Sequence, residues 1–153
     1  MKKLLIASTS TVHGSGYLEY LLDTLKIHFK FAETILFVPY ARPGGMTHEA
    51  YTEIVKLAFS KIDKTVIGLH EFDSPKEAIK TAEALFVGGG NTFVLVDQLY
   101  KQDLNDELKA AIESGTPYLG TSAGSNICGL TIGSSNDMPI AYPPSFQTLG
   151  VFP

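Results

Sequence analysis

Hydrophobic positions along this chain fall into short unbroken runs separated by longer stretches with helical spacing, and the two kinds alternate from the first residues onward. Runs at 3–8, 34–39, 65–69, 84–88 and 117–121 are apolar at nearly every position, as strands covered on both faces must be. Between them, 16–29, 47–61, 75–82, 92–101 and 104–114 place apolar side chains three and four apart, which gives a helix one buried face. This alternation predicts an α/β fold built of βαβ units around a parallel sheet, with a doubly wound strand order of 3-2-1-4-5 as the simplest arrangement. Two boundaries are written into the chain. Ser74-Pro75-Lys76-Glu77 offers an N-cap serine, a proline at the first helical position and a glutamate placed to close a capping box. Gly115 follows Ser114 where a left-handed helix end is wanted, and Pro117 blocks continuation. No repeat, low-complexity tract or linker interrupts the pattern, so one domain is expected.

Composition narrows the class. In 153 residues, 44% are hydrophobic and 18% charged, as in a soluble domain large enough to enclose its own core. A net charge of −4, with no lysine cluster and Arg42 as the only arginine, argues against a nucleic-acid partner. The apolar start Leu4-Leu5-Ile6-Ala7 breaks at Ser8-Thr9-Ser10-Thr11, too soon for a signal peptide, and no run reaches membrane-spanning length. Cys128 is the only cysteine, which excludes an internal disulfide and suits the reducing cytoplasm, the expected location. Neither a metal nor another cofactor is expected, and a homodimer is left open as the assembly.

Ligands of open parallel sheets bind outside the carboxyl ends of the strands. After the fifth apolar run comes Gly120-Thr121-Ser122-Ala123-Gly124, the G-x-S-x-G pattern of a nucleophile elbow. Such a turn holds a serine in a strained corner with its hydroxyl exposed, and the helix that follows would favour negative charge beside it. After the fourth run comes Gly88-Gly89-Gly90-Asn91-Thr92, where Asn91 can cap a helix. A plain glycine turn would satisfy that sequence. An oxyanion hole also fits, with the Ala123 amide as one donor and Gly89 or Gly90 as the other.

Fifteen residues past Ser122, in Ser134-Ser135-Asn136-Asp137-Met138-Pro139, Asp137 could orient an imidazole or simply close a turn. The four histidines, His13, His28, His48 and His70, all precede Ser122. His28 and His48 are read as surface residues. In the order 3-2-1-4-5, His70 would stand four strand spacings from the elbow, roughly 19 Å, and His13 two, roughly 10 Å. Gly14-Ser15-Gly16 is a weak dinucleotide fingerprint, since Glu19 occupies the place of the third glycine. Cys128, beside Ile127 and near Leu130, is expected to be a buried, inert thiol.

Val87-Gly88-Gly89-Gly90-Asn91-Thr92-Phe93, Gly120-Thr121-Ser122-Ala123-Gly124-Ser125-Asn126, and Thr131-Ile132 with Asn136-Asp137-Met138-Pro139 together resemble the peptidase E family, serine dipeptidases that remove N-terminal aspartate. The resemblance implies a three-layer α/β sandwich with a mostly parallel sheet, similar to class I glutamine amidotransferases. It implies Ser122 as nucleophile, Asp137 as the acidic triad member, and Gly89, Gly90 and Ala123 as oxyanion donors, with an Asp-X dipeptide as substrate. Cyanophycinase shares the serine elbow and is a near alternative. The family's catalytic histidine and an arginine region that recognises the aspartyl side chain lie past the position matching Pro153. The chain is therefore expected to be the N-terminal portion of a longer peptidase domain and, alone, a poor hydrolase. The competing reading is a non-catalytic small-molecule or protein-binding domain that keeps the elbow as architecture.

Overall fold

The computed structural model describes residues 2–11, 16–42, 44–129, 137, 141 and 143–151. Strands β1 (Leu4–Ala7), β2 (Thr34–Val38), β3 (Thr65–Gly68), β4 (Leu85–Val87) and β5 (Tyr118–Thr121) form one parallel sheet, each within a residue or so of its apolar run. The helices are α1 (Leu22–His28), α2 (His48–Ser60), α3 (Pro75–Lys80), α4 (Thr92–Lys101), α5 (Asn105–Glu113) and α6 (Ala123–Asn126). The first starts later than its apolar spacing suggests. Leu18 is left-handed at φ 58° and donates its N–H to Ser10 O, so only a 3-10 turn at Glu19–Leu21 precedes α1.

The strand order is β1-β5-β4-β2-β3, and this corrects the expected 3-2-1-4-5. β5 pairs with β1 on one side, Ala7 opposite Thr121, and with β4 on the other, Val87 opposite Gly120. The reason lies in burial. β4 and β5 are buried throughout, as central strands are, whereas β1 is only half-buried and leaves Ile6 37% exposed, as an edge strand does. The loop after β1 is thereby one strand from the elbow, not two, and His70 after β3 is three strands away, not four. His13 itself lies outside the described residues.

Alternate strand residues feed two cores, which makes the three-layer sandwich. Leu36, Val38, Leu85, Val87 and Tyr118 face α3, α4, α5 and α6. Ile35, Phe37, Ala84, Phe86 and Leu119 face α1 and α2, where the rings of Phe37, Phe86, Phe59 and Phe29 follow one another at centroid distances of 5.1, 5.8 and 5.9 Å. Fully burying each such side chain is worth ~1.5 to 3 kcal/mol, so both faces of the sheet are needed for stability.

The expected helix boundaries are present. Ser74 Oγ accepts the Glu77 N–H at 3.4 Å, although the Glu77 carboxylate turns to Lys80 at 3.6 Å and does not close a capping box. α5 ends in a Schellman motif: Gly115, at φ 103°, donates to Ile112 O and Thr116 donates to Ala111 O. Residues 149–151 return to α6, with Leu149, Gly150 and Val151 donating to Ile127, Gly129 and Cys128 carbonyls. Among the described residues no helix is long and apolar enough to cross a membrane.

Candidate active site

Ser122 stands between β5 and α6 with φ 51° and ψ −109°, a conformation that costs a non-glycine residue ~1 to 3 kcal/mol and persists only where the surroundings impose it. The surroundings do so. The Ser122 N–H donates to Ala7 O of β1 at 3.0 Å, and the Ser122 carbonyl accepts from both Ser125 and Asn126 at 3.0 Å. Ser125 Oγ lies 2.6 Å from Ala7 O and 2.7 Å from Gly120 O, tying the first turn of α6 to two strands at once. Glycines let the turn close. A Cβ on Gly120 would stand 2.6 Å from Gly124 O, and one on Gly124 would collide with the Val87 carbonyl of β4.

The glycine turn after β4 lies directly against this serine, since a Cβ built on Gly89 would be 3.0 Å from Ser122 Cβ and 3.7 Å from Ser122 Oγ. Its peptides are fixed from the far side. Tyr51 Oη donates to Gly89 O at 3.1 Å, and in a planar trans peptide the Gly90 N–H then points the opposite way. The Asn91 N–H donates to Ala41 O at 2.7 Å, while Asn91 Oδ1 caps α4 by accepting from Phe93 and Val94 at 3.0 and 3.2 Å. Gly90 has φ 148°, and a Cβ there would collide with the Ala41 carbonyl. Among the described residues no acceptor is within hydrogen-bond reach of the Gly89, Gly90 or Ala123 N–H groups. α6 is a single turn, so any negative charge beside Ser122 would be stabilised by individual N–H groups and not by the macrodipole of a long helix.

Asp137 is anchored at the start of α4. Its Oδ2 accepts from Thr92 N–H at 2.7 Å and from Thr92 Oγ1 at 2.5 Å, and Thr92 Oγ1 in turn accepts from Asn126 Nδ2 at 3.0 Å. Thr92 is fully buried. One carboxylate is thus connected through two side chains to both turns, the glycine turn just before Thr92 and the elbow just before Asn126. Most of the surrounding motif, Ser134, Ser135, Asn136, Met138 and Pro139, lies outside the described residues.

The sequence matches peptidase family S51 over residues 4–153. The chain belongs to that family. Among family S51 relatives it is 44% identical over 155 residues to the "Probable alpha-aspartyl dipeptidase" of Drosophila melanogaster, covering 99% of this chain and 63% of that protein. It is 43% identical over 150 residues to Peptidase E of Streptomyces coelicolor, covering 98% of this chain and 60% of that protein. The chain thus spans about three fifths of the length of these curated relatives. In fold it resembles the crystal structure of a peptidase from an acI-B1 Actinobacterium, with a TM-score of 0.73 at 17% identity, covering 99% of this chain and 65% of that one.

In this S51 chain the described histidines stand away from Ser122. His28 and His48 are half-buried, which corrects their reading as surface residues. His28 Nε2 bonds to Tyr118 O at 2.9 Å, at the opposite end of β5 from the elbow. His48 lies between the rings of Tyr40 and His70, at 5.2 and 5.7 Å, and burial lowers its pKa, as it does that of His28. Cys128 is fully buried just past α6, and burial pushes its thiol up to about 11, as expected of an inert cysteine. Sequence patterning passed over Tyr51, Thr92 and Arg42. Tyr51 had no signal, being one apolar-face residue of α2 among others, but Arg42 had one: it is the sole arginine and follows a strand on the ligand-binding edge.

Proposed function

We propose that this chain carries the nucleophile and oxyanion site of a serine dipeptidase acting on Asp-X peptides through an acyl-enzyme, in the cytoplasm. The observation that carries the reading is the strained Ser122 held against Gly89, beside backbone N–H groups with no acceptor among the described residues. The names borne by the relatives supply the substrate class. A domain that only bound ligands would have no use for backbone strain at the one serine of the elbow.

In this reading Ser122 Oγ attacks the aspartyl carbonyl carbon while its proton passes to a base. The resulting oxyanion is held by the amides of Ala123 and of Gly89 or Gly90, the Gly90 amide being aimed before substrate arrives by the bond from Tyr51 Oη to Gly89 O. Collapse expels the amine of residue X, which takes the proton, and water then hydrolyses the ester to restore the serine. Serine is a weak nucleophile without a base. None of His28, His48 and His70 stands beside the elbow, so the imidazole is assigned to residues outside those described. Asp137 is the acidic member, its orientation set by Thr92.

The test is Ser122→Ala in the complete protein, assayed on Asp-Leu. Turnover should fall by ~10⁴-fold or more with the melting temperature little changed. A fluorophosphonate should label the parent protein at Ser122 and leave the variant untouched. Undiminished turnover in the variant removes the serine mechanism.

A further inference from the structure

The carboxyl edge of the sheet carries a cation that the nucleophile reading does not use. Arg42 follows β2, which is two places from β5 with β4 between them, roughly 10 Å across the sheet. Its neighbour Ala41 packs on the glycine turn, accepting the Asn91 N–H and abutting Gly90. The guanidinium carbon lies 4.7 Å from the centre of the Tyr51 ring, and that same Tyr51 donates its hydroxyl to Gly89 O. One aromatic side chain therefore touches both the cation and the turn that lies against Ser122.

Among the described residues the Arg42 guanidinium has the Tyr51 ring against it and no hydrogen-bond acceptor. Its Nε is buried without a hydrogen bond, and among the described residues no carboxylate forms an ion pair with it. Buried donors are nearly always bonded, and a guanidinium fork matches a carboxylate through two parallel hydrogen bonds. An Asp-X dipeptide offers two such groups, the aspartyl side chain and the C-terminus, each within a few bonds of the scissile carbon.

We propose that Arg42 is a substrate-binding residue of this site, its guanidinium, stacked on Tyr51, pairing with a carboxylate of the dipeptide whose scissile carbonyl rests at Ser122. This assignment rests on the peptidase reading of Ser122.

The test compares the complete protein with its Arg42→Gln variant on three substrates: Asp-Leu, the C-terminal amide Asp-Leu-NH2, and Asn-Leu. Arg42→Gln should raise KM for Asp-Leu roughly 30-fold or more, the loss expected when a desolvated charge pair is broken, with kcat changed much less. It should also abolish the parent protein's discrimination against one of the two neutralised substrates: the amide if Arg42 binds the C-terminus, Asn-Leu if it binds the side chain. Arg42→Lys, which keeps the charge and loses the fork, should fall between. An equal rise in KM for all three substrates, or no rise, overturns the proposal. Calorimetric binding of the same peptides to the Ser122→Ala protein, with and without Arg42→Gln, separates the two readings. Carboxylate-dependent binding lost with Arg42 but without turnover in the parent protein leaves this assignment and removes the reaction, whereas no binding at all removes both.

Discussion

At the scale of single residues, strain is what sets Ser122 apart. Among the described residues four non-glycines have positive φ, of which Leu18, Asp63 and Asp103 sit near 57–58° in turns beside helix ends, whereas Ser122 faces a glycine turn with open amides. Gly89 is where geometry and chemistry can be separated. Its backbone needs no special conformation, and an added methyl would press on Ser122, at 3.0 Å from Cβ and 3.7 Å from Oγ, while meeting the Thr121 carbonyl oxygen at an ordinary 3.5 Å. Gly89→Ala should therefore fold, within about 1 kcal/mol of the parent by denaturant titration, while losing turnover ~10²-fold or more as the methyl crowds the oxyanion position. Normal turnover would mean that the oxyanion forms elsewhere. Asp137 allows a similar separation, because both of its bonds from Thr92 fall on one oxygen, which the carbonyl of an asparagine could replace. Asp137→Asn should keep the melting temperature and, if the carboxylate is the acidic member, cut kcat by about 10⁴. Retained turnover would reduce Asp137 to a cap on α4. Ser122 and the glycine turn stand out in the sequence because each is a motif with its own local chemistry, whereas Asp137 reads equally as a turn residue and is singled out only by the family resemblance. Tyr51 was not legible there, because it reaches the glycine turn only through the tertiary packing of α2. Arg42, the sole arginine and placed after a strand, carried a signal of place but not of its contact with Tyr51, which only the fold supplies.

At the scale of elements, the five described strands and α2 to α5 were legible nearly to the residue and α1 apart from its late start, since hydrophobic period and punctuation are local and the chain states both plainly. Order was not. Strands buried on both faces look alike in sequence, and only the half-exposed pattern of β1 in the folded protein reveals it as an edge. That one difference moves β5 between β1 and β4, where the elbow can take one anchor from Ala7 and another from the backbone around Gly120. It also explains why the elbow ends in Gly124. α6 lies so close to β4 that Gly124 has the Val87 carbonyl where a side chain would begin, and neither partner can yield without breaking the strand or the helix turn. Gly124→Ala should therefore destabilise by ~3 kcal/mol or more, beyond the usual range for a point change, and be seen as loss of soluble protein or a large fall in the denaturation midpoint. The contrast with Gly89→Ala is the measurement that matters: one methyl added to each of two neighbouring turns, with opposite effects on fold and on activity. Equal stability of the two variants would contradict the close approach of α6 to β4.

At the scale of the whole molecule, the layers are joined by half-buried histidines whose ionisation couples packing to pH. His28 links α1 to the first residue of β5, and burial is the chief cause that lowers its pKa, with nearby Lys3 adding to the shift and the bond to Tyr118 O opposing it. His48, at the start of α2, is lowered first by burial and then by the neighbouring His70, with Glu49 opposing. In both cases the folded state holds fewer protons than the unfolded chain between the depressed value and the ordinary 6.5. Stability is thus fully present above about pH 6.5 and drains away as pH falls through the folded pKa values. The limiting slope is ~1.4 kcal/mol per pH unit for each histidine, and because both rings keep contact with water, solvent screening holds the real slope well under that limit. Ordinary carboxylates titrate near 4, so the interval from pH 6.5 to 5 isolates the histidines. Melting temperature should fall across that interval in the parent protein, and the fall should be markedly smaller in a His28→Gln, His48→Gln double variant, whose amides carry no charge at any pH. His28→Gln alone should remove part of the slope even though it lies at the far end of β5 from Ser122, and the pH dependence of KM for Asp-Leu should not follow it. An unchanged slope in the double variant would place the pH sensitivity of the fold in other groups.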